Sequence, residues 1–293
     1  MKQNTHIAIA AVMCALIATS ARSQSVTAIN FPGAAQTRPN GVSPTGDIVG
    51  TYVNPGLPIV NHGFLRDVSG GFTTIDVPGA VQTSAFAINP RGDIVGFYNP
   101  KPGLTRGFLL SEGVFSDIFV PGSSQTTPAG INARGEIVGF YTDPTGTHGF
   151  LLNKKGTFTA IDVPGALRTL INDINEHGDI VGSYVDAAMK SHMFLLVSGV
   201  LTKIDFPGAL QTGPNGIACG INDKGDIVGG YVGTDNKIHG FLLDASGYTT
   251  IDFPNTNLTN ARAINPEGDI VGFWRQPLVG GFSDHGFLLT NSR

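Results

Sequence analysis

Short apolar segments alternate with tight polar turns along almost the whole chain. One stretch illustrates this, with apolar segments at Ser84–Asn89, Asp93–Tyr98, Gly107–Leu110 and Val114–Val120 separated by turns and loops rich in Gly, Pro and Asn. Such runs of Ile, Val, Phe and Tyr are typical of antiparallel β-strands. No window after residue 23 has helical periodicity. The pattern therefore predicts an all-β protein, and the 40 glycines and 18 prolines fit a fold with many turns.

This four-strand pattern occurs six times. Its marker is the string Gly-Asp-Ile-Val-Gly or a near copy, and its acidic residues, 43 to 47 residues apart, are Asp47, Asp93, Glu136, Asp179, Asp226 and Asp269. Four strands in about 45 residues match one blade of a β-propeller. The last unit stops after its third strand, and Val26–Phe31 near the N-terminus copies a fourth strand. We therefore predict a six-bladed β-propeller over residues 24–293 whose last blade is closed by the N-terminal strand. An open β-solenoid would not explain these complementary ends.

Residues 1–23 have the pattern of a secretory signal peptide. Lys2 precedes an apolar run from Ile7 to Ala18, and small residues allow cleavage after Ser20 or Ser23. The apolar run is too short to span a membrane. We expect a secreted or periplasmic protein without a membrane span, and the sequence leaves the choice of compartment open.

Charge and cysteine content narrow the possible partners. Removal of residues 1–23 takes away Lys2 and Arg22 but no acidic residue, so the net charge changes from −4 to −6. An acidic chain without a basic stripe is a poor nucleic-acid binder. Cys219 is the single cysteine of the mature chain, so no intrachain disulfide can form. We expect a monomer that needs no cofactor.

The third strand of most units opens on a histidine. The string is His-Gly-Phe-Leu-Leu at His148, His239 and His285, and His-Gly-Phe-Leu-Arg at His62. These strings resemble the His-Ala-Phe motif of the extracellular HAF-repeat family of bacteria. Gly replaces Ala throughout, unit two has Arg106, and unit four has His192-Met193-Phe194. The resemblance covers residues 25–293 and implies export and a β-repeat fold, but no defined activity.

The repeated polar residues favour structural roles. Equivalent histidines on a six-fold ring of third strands would be about 15 Å apart, whereas zinc ligands lie about 2 Å from the metal. We therefore predict no metal site, and we expect each histidine to make the same hydrogen bond within its blade. The acidic residue of the marker string and the asparagine that follows strand one are predicted to shape the hairpin turn.

One candidate ligand site is a ring of aromatic residues. They close strand two on the face that carries the long loops, namely the loops from strand two to three and from strand four to the next unit. Flat apolar rings with polar tips suit sugars, and six such positions would give several weak sites per chain. The residues are Tyr52, Tyr98, Tyr141, Tyr184, Tyr231 and Trp274.

A second candidate site consists of residues on strand one that differ from the residues at the same positions in other units. Strand one is the strand whose side chains can converge at the axis. Asp173 occupies a slot that is otherwise Gly or Ala, and unit five is longer than the others between Thr212 and Asn222. We expect five residues to gather at the long-loop mouth, with an Arg262–Asp173 charge pair as one hypothesis and a hydrated channel lining as the alternative. They are Arg262, Asp173, Asn172, Asn40 and Cys219.

Three functions remain open. The chain has no Gly-x-Ser-x-Gly, no His-Glu-x-x-His and no phosphate-binding loop. We therefore favour an exported non-catalytic propeller that binds a glycan or a protein partner on its long-loop face. The alternatives are a glycan-acting lyase or hydrolase with a single axial site, and a structural module of the cell surface.

Overall fold

The computed structural model describes residues 24–213, 219–278 and 280–291. The regular secondary structure of these residues consists of 25 β-strands. None of them belongs to a helix long and apolar enough to cross a membrane. The predicted signal peptide, residues 1–23, lies outside the described residues.

The strands form six four-stranded antiparallel units that follow the sequence repeat. The strands of units one to three, in chain order, are β2 (Gln36–Val42), β3 (Ile48–Val53), β4 (Asn61–Arg66), β5 (Phe72–Ile75), β6 (Gln82–Ile88), β7 (Ile94–Lys101), β8 (Leu104–Ser111), β9 (Val114–Ile118), β10 (Gln125–Ile131), β11 (Ile137–Asp143), β12 (Gly146–Leu152) and β13 (Phe158–Ile161).

In unit five the first strand is split into two short pieces, β18 and β19. The strands of units four to six are β14 (Arg168–Ile174), β15 (Ile180–Val185), β16 (Ser191–Val197), β17 (Val200–Lys203), β18 (Gln211–Thr212), β19 (Gly220–Ile221), β20 (Ile227–Val232), β21 (Ile238–Asp244), β22 (Gly247–Ile251), β23 (Thr259–Ile264), β24 (Ile270–Leu278) and β25 (Gly281–Asn291).

Unit six is completed from the other end of the chain. The N-terminal strand β1 (Gln24–Ile29) pairs antiparallel with β25, with Ile29 opposite Gly286. The predicted pairing of the N-terminal strand with the last unit is therefore confirmed. Each unit also contacts the next, and β24 of unit six contacts β2 of unit one. We call this contact between units six and one the seam.

A phenylalanine of the third strand fills the centre of each unit. Its ring lies against the second glycine of the marker string, where a larger residue would not fit. At Gly50, an added Cβ would lie 2.3 Å from the Arg38 carbonyl oxygen and 2.6 Å from the Phe64 ring. The six rings, all 0% exposed, belong to Phe64, Phe108, Phe150, Phe194, Phe241 and Phe287.

The asparagine after strand one both caps its hairpin and connects neighbouring units. The side-chain oxygen of Asn89 accepts the N–H groups of Arg91 and Asp93, as predicted for a turn residue. Its amide nitrogen donates to the Asp93 carboxylate and to the carbonyl of Asn132 in the next unit. The same inter-unit bond recurs from Asn132, Asn175 and Asn222, and at the seam Asn265 donates to the carbonyl of Ser43.

The seam should depend on the apolar face of β1. Ile29 is 1% exposed and packs in a cluster with Ile48 and Phe64 of unit one and Val271 of unit six. Ile29→Ala should lower the free energy of unfolding by about 2–5 kcal/mol, because it leaves a cavity between two units. Urea denaturation followed by tryptophan fluorescence measures this loss. Val26→Ala is the matched control, since Val26 lies on the same strand but is 56% exposed, and it should change stability by less than about 0.5 kcal/mol. Equal losses in both variants would contradict the packing role of Ile29.

Candidate functional site

A β-bulge in the first strand of five units directs one side chain away from the regular pattern. In unit one, Pro39 pairs with Gly50 and Gly41 with Val49, so Asn40 is an extra residue between them. A bulge bends the strand and re-aims the side chain of the extra residue. The bulged residues are Asn40, Phe86, Ala129, Asn172 and Arg262. The sequence shows these positions only as variable, so the bulges were not predicted.

Unit five has a longer insertion at the same place. β18 and β19 both pair with β20, and residues 213–219 lie between them. Cys219 directly precedes β19 and occupies the position that corresponds to the bulged residue. Residues 214–218 of the predicted insertion lie outside the described residues.

The five bulged residues and Cys219, one residue from each unit, border one cavity of about 170 Å³. We call it the axial cavity. All five residues predicted for the axial site line it, namely Arg262, Asp173, Asn172, Asn40 and Cys219. The structure therefore brings the predicted set together, and it adds the rings of Phe86 and Phe140.

An aliphatic collar bounds the axial cavity on the side of the hairpin turns. Val42, Ile88, Ile131 and Ile264 line both the axial cavity and a second cavity of about 90 Å³ on the hairpin side. The turn asparagines border this second cavity. The axial cavity therefore lies toward the start of the first strands, which is the long-loop side.

Asp173 stands in a slot where small residues let neighbouring first strands approach each other. A Cβ added to Gly130, the slot residue of unit three, would lie 2.8 Å from the Asp173 Cα. The Asp173 carboxylate accepts the N–H of Ile174 at 2.9 Å and that of Ile221, in the shortened strand of unit five, at 3.0 Å. The hydrogen bond to Ile221 connects unit four to unit five, which is a structural role for an acidic residue at this position. Burial nevertheless raises the pKa of Asp173 to about 7, in spite of these two N–H groups.

Arg262 has no carboxylate within ion-pair distance in the described residues, although the charge of Asp284 acts on it from further away. Its Nη1 donates to the Asn40 side-chain oxygen at 2.5 Å across the seam, and its guanidinium carbon lies 4.9 Å from the centre of the Phe273 ring. Burial lowers its pKa to about 10, and Arg38 adds to this effect, so the group remains a cation at neutral pH. The hypothesis of an Arg262–Asp173 charge pair is wrong, because Asp173 belongs to unit four and is held by backbone N–H groups instead.

The remaining polar side chains of the site are tied to their neighbours. Asn40 donates to the Thr51 hydroxyl at 3.2 Å and to the Ala85 carbonyl at 2.8 Å. The Cys219 thiol donates to the Asn172 side-chain oxygen at 3.5 Å. Burial raises the pKa of Cys219 well above its ordinary value. The thiol therefore stays protonated and is a poor nucleophile at neutral pH.

Three of the six residues of the predicted aromatic ring are buried, and the other three are partly exposed. Tyr52, Tyr98 and Tyr231 are only 6–9% exposed. Tyr52 stacks on Phe31 with ring centres 3.7 Å apart, and Tyr231 stacks on Phe206 at 3.8 Å. The other members also pack within their units, with Tyr141 and Tyr184 against histidines and Trp274 between Phe253 and His285. The sequence did not reveal this, because Phe31 and Phe206 come from the segment after the fourth strand.

The histidines bond within their units, as predicted, and one of them has a different partner from the others. Nδ1 of His62, His148, His192 and His239 lies 2.6–2.9 Å from an aspartate that follows strand four of the same unit. His285 has Asn30 at the corresponding place and bonds to Gln276 at 3.2 Å instead. In the part of the chain that the structure describes, no three His, Cys, Asp or Glu side chains form a group suited to a metal ion.

Comparison with known proteins shows the fold. No protein-family model matches the sequence, and no curated protein is similar to it in sequence. TolB from Acinetobacter baumannii aligns with 85% of this chain and 64% of its own, at 12% identity and a TM-score of 0.62. A catalytically inactive virginiamycin B lyase from Staphylococcus aureus, solved with quinupristin, aligns with 92% of this chain and 100% of its own, at 14% identity and a TM-score of 0.52. The fucose-specific lectin from Aleuria aurantia aligns over 88% and 97%, at 13% identity and a TM-score of 0.50.

These solved structures are β-propellers, so the chain has an all-β, propeller-type fold. Identities of 12–14% carry no assignment beyond the fold. The three proteins also differ in role, so the function of this chain must be argued from its own axial cavity.

The raised pKa of Asp173 predicts a pH-dependent stability. The folded protein holds the Asp173 proton up to about pH 7, whereas the ordinary pKa of an aspartate is about 3.9. Between about pH 4 and pH 7 the folded state therefore binds more protons than the unfolded state. The free energy of unfolding should fall as the pH rises through this window and level off above it. We expect the free energy of unfolding to fall by roughly 2–4 kcal/mol over this range. Asp173→Ala should remove most of this fall, and alanine is the residue that units two and six have at the same position, as Ala87 and Ala263. Urea denaturation at a series of pH values measures it.

Asp67→Ala is the control for this experiment. Hydrogen bonds from Ser69 and from the Gly71 backbone lower the pKa of the Asp67 carboxyl, so it titrates below the window. This variant should keep the wild-type slope from about pH 5 to 7. A wild-type protein with no slope in that window would contradict the raised pKa of Asp173.

Proposed function

We propose that the protein is an exported six-bladed β-propeller of the HAF-repeat kind, and that it binds a small polar ligand, such as a sugar unit of a glycan, in the axial cavity without transforming it. The observation that carries this proposal is the convergence of five non-repeated polar side chains on one cavity in an otherwise repetitive molecule.

The six-bladed arrangement is supported by the series of unit contacts. Each unit packs on the next, and β1 supplies the fourth strand of unit six while that unit also packs on unit one. Export is supported by the sequence of residues 1–23, which resembles a signal peptide. The resemblance of the histidine strings to the HAF repeat points in the same direction.

The repeat itself does not require the residues that line the axial cavity. Its histidines, tyrosines and turn asparagines recur because each makes the same contacts in each unit, whereas the bulged position accepts Ala129 in unit three and Phe86 in unit two. The polar residues at this position in units one, four and six therefore need another explanation. Binding of a ligand supplies one, because the bulge points these side chains at a shared space.

The lining suits a sugar. Small-molecule sites combine apolar walls with a few polar groups that fix orientation. Here Phe86 and Phe140 offer apolar faces, Asn172 offers an amide group and Arg262 offers a guanidinium group. The volume of about 170 Å³ is below the range of about 300–1,000 Å³ for drug-sized ligands. The cavity therefore suits one sugar unit or the end of a chain rather than the middle of a polymer.

A glycan-acting lyase or hydrolase is the second candidate, and one observation favours it. A carboxyl with a pKa of about 7 has the property of a general acid or base at neutral pH. Both oxygens of Asp173 are, however, engaged with backbone N–H groups. We therefore favour binding over catalysis. A structural module without a ligand is the third possibility.

Filling the cavity tests the binding function. Ala129→Phe places in unit three the residue that unit two already has at the bulge, and it should obstruct the axial cavity. We expect the mature protein, residues 24–293, to bind sugars on a glycan array, and calorimetry should show one site per chain. Affinity should fall at least about 10-fold in Ala129→Phe, because the added ring occupies the ligand's space.

Ala188→Phe is the matched control, since Ala188 is an exposed residue of the loop between β15 and β16. This variant adds the same ring at a distance from the axial cavity and should bind like the wild type. Equal binding in both variants would place the ligand elsewhere. New oligosaccharides that disappear in Asp173→Ala would favour the enzyme, and no binding in the wild type would favour the structural module.

A further inference from the structure

Three arginines and one carboxylate lie near one another at the seam, and one of the arginines, Arg262, lines the axial cavity. Asp284 is completely buried, and its Oδ2 accepts from Arg38 at 2.6 Å. Arg275 donates to both oxygens of the same carboxylate, at 2.7 and 2.9 Å. Two guanidinium groups thus share Asp284, and the third, on Arg262, has no acidic partner. In the described residues, no carboxylate oxygen lies within 4.0 Å of an Arg262 nitrogen.

Phe273 holds the third guanidinium in place. The guanidinium carbon of Arg262 is 4.9 Å from the Phe273 ring centre and that of Arg38 is 5.6 Å from it. Cations are attracted to the face of an aromatic ring, and this attraction orients them without neutralising their charge. The three arginines and Asp284 together carry a net charge of +2, and the charge of Arg262 lies at the wall of the cavity, within a mature chain of net charge −6.

Arg262 has donors to spare. A guanidinium carries five N–H donors. One is used by Asn40, and the side-chain amide of Asn260, turned so that its oxygen faces Arg262, accepts from Nε at 3.3 Å. The remaining donors have no partner in the described residues, and Arg262 lines the axial cavity. Two parallel N–H groups of one guanidinium match the two oxygens of a carboxylate.

We propose that the axial cavity selects its ligand by a carboxylate that binds Arg262, and that the ligand is therefore an acidic sugar of the uronic acid type. This inference rests on the proposed function, because it names the class of sugar for the same cavity. The carboxylate would lie at the seam wall, and the ring of the sugar would lie between Phe86 and Phe140 and the amide of Asn172.

The other titratable groups around the cavity make this selection depend on pH. The thiol of Cys219 stays neutral, and Asp284 is already shared by Arg38 and Arg275. Asp223 lies on the hairpin side beyond the collar. Asp173 is the acidic residue in the lining of the axial cavity. It changes charge near neutrality, since burial raises its pKa to about 7. An anionic ligand should therefore bind more weakly above pH 7, where Asp173 becomes negative.

Calorimetric titration of the mature protein with glucuronate, glucose and acetate tests the inference. Glucuronate should bind at least about 10-fold more tightly than either glucose or acetate, because only glucuronate has both the carboxylate and the sugar ring. Arg262→Gln should weaken glucuronate binding by about 10- to 100-fold, and this loss should be at least several-fold larger than any loss of glucose binding, because glucose has no carboxylate to lose its partner. Arg66→Gln removes the same charge on the outer part of unit one and should alter neither.

The pH profile of the wild type provides a test that does not depend on the folding of a variant. Glucuronate affinity should fall several-fold from about pH 6 to 8, and this fall should be absent for glucose and in Asp173→Ala. Equal affinity for glucuronate and glucose would overturn the carboxylate inference while leaving the sugar-binding function intact. Acetate that binds as tightly as glucuronate would overturn the assignment to a sugar acid. Absence of binding to all three would overturn the inference, and the glycan array then decides the proposed function separately.

Discussion

The contact between units six and one is the constraint on which both the fold and the site depend. β1 completes unit six, and Ile29 carries its apolar face into a cluster that includes Ile48 and Phe64 of unit one. The wall of the axial cavity at this point is the hydrogen bond between Arg262 and Asn40, which are 222 residues apart in the chain. The ends of the chain must therefore meet before this part of the cavity exists. Stability and the candidate site share the same interface.

The bulge explains how a repetitive fold acquires an unrepeated site. Hydrogen bonding to the second strand and packing around the buried phenylalanine determine which residues the regular positions can hold. The extra residue of the bulge has no partner in the second strand, so its side chain is released from these requirements. Because every first strand borders the same space, the released side chains meet. Asn40, Ala129 and Arg262 can therefore differ completely without disturbing the units that carry them.

The sequence was most informative about features that the repeat itself encodes. The spacing of the marker string predicted the six units, and the copy of a fourth strand at Val26–Phe31 predicted the pairing of β1 with β25. The bonds from histidine to aspartate followed from the conclusion that a repeated polar residue has a repeated partner. The comparison of equivalent positions also predicted which side chains gather at the axis, because it identified the positions that escape the repeat.

The errors concern contacts between parts of the chain that the repeat does not relate. The tyrosines at the ends of the second strands have polar tips and resemble ligand contacts, but Phe31 stacks on Tyr52 and Phe206 stacks on Tyr231 from the segments after strand four. The pairing of Arg262 with Asp173 was wrong because the sequence does not show the backbone N–H groups that the shortened strand β19 leaves for Asp173. The buried Asp284 and its two arginines were not predicted, since Arg38 reaches them only across the seam.

The charge on Arg262 remains the feature that the fold does not explain. Arg262 is partly buried, and taking a cation out of water without a directly paired carboxylate is unfavourable, whereas a small apolar residue would remove this cost. Unit three shows that the bulge accepts such a residue, because it has Ala129 there. Arg262 contributes one bond to Asn40, yet Asn40 is already held by Thr51 and Ala85. A guanidinium that is oriented by Phe273, supplied with unused donors and placed at a cavity wall is therefore best explained by an anion that enters from solution.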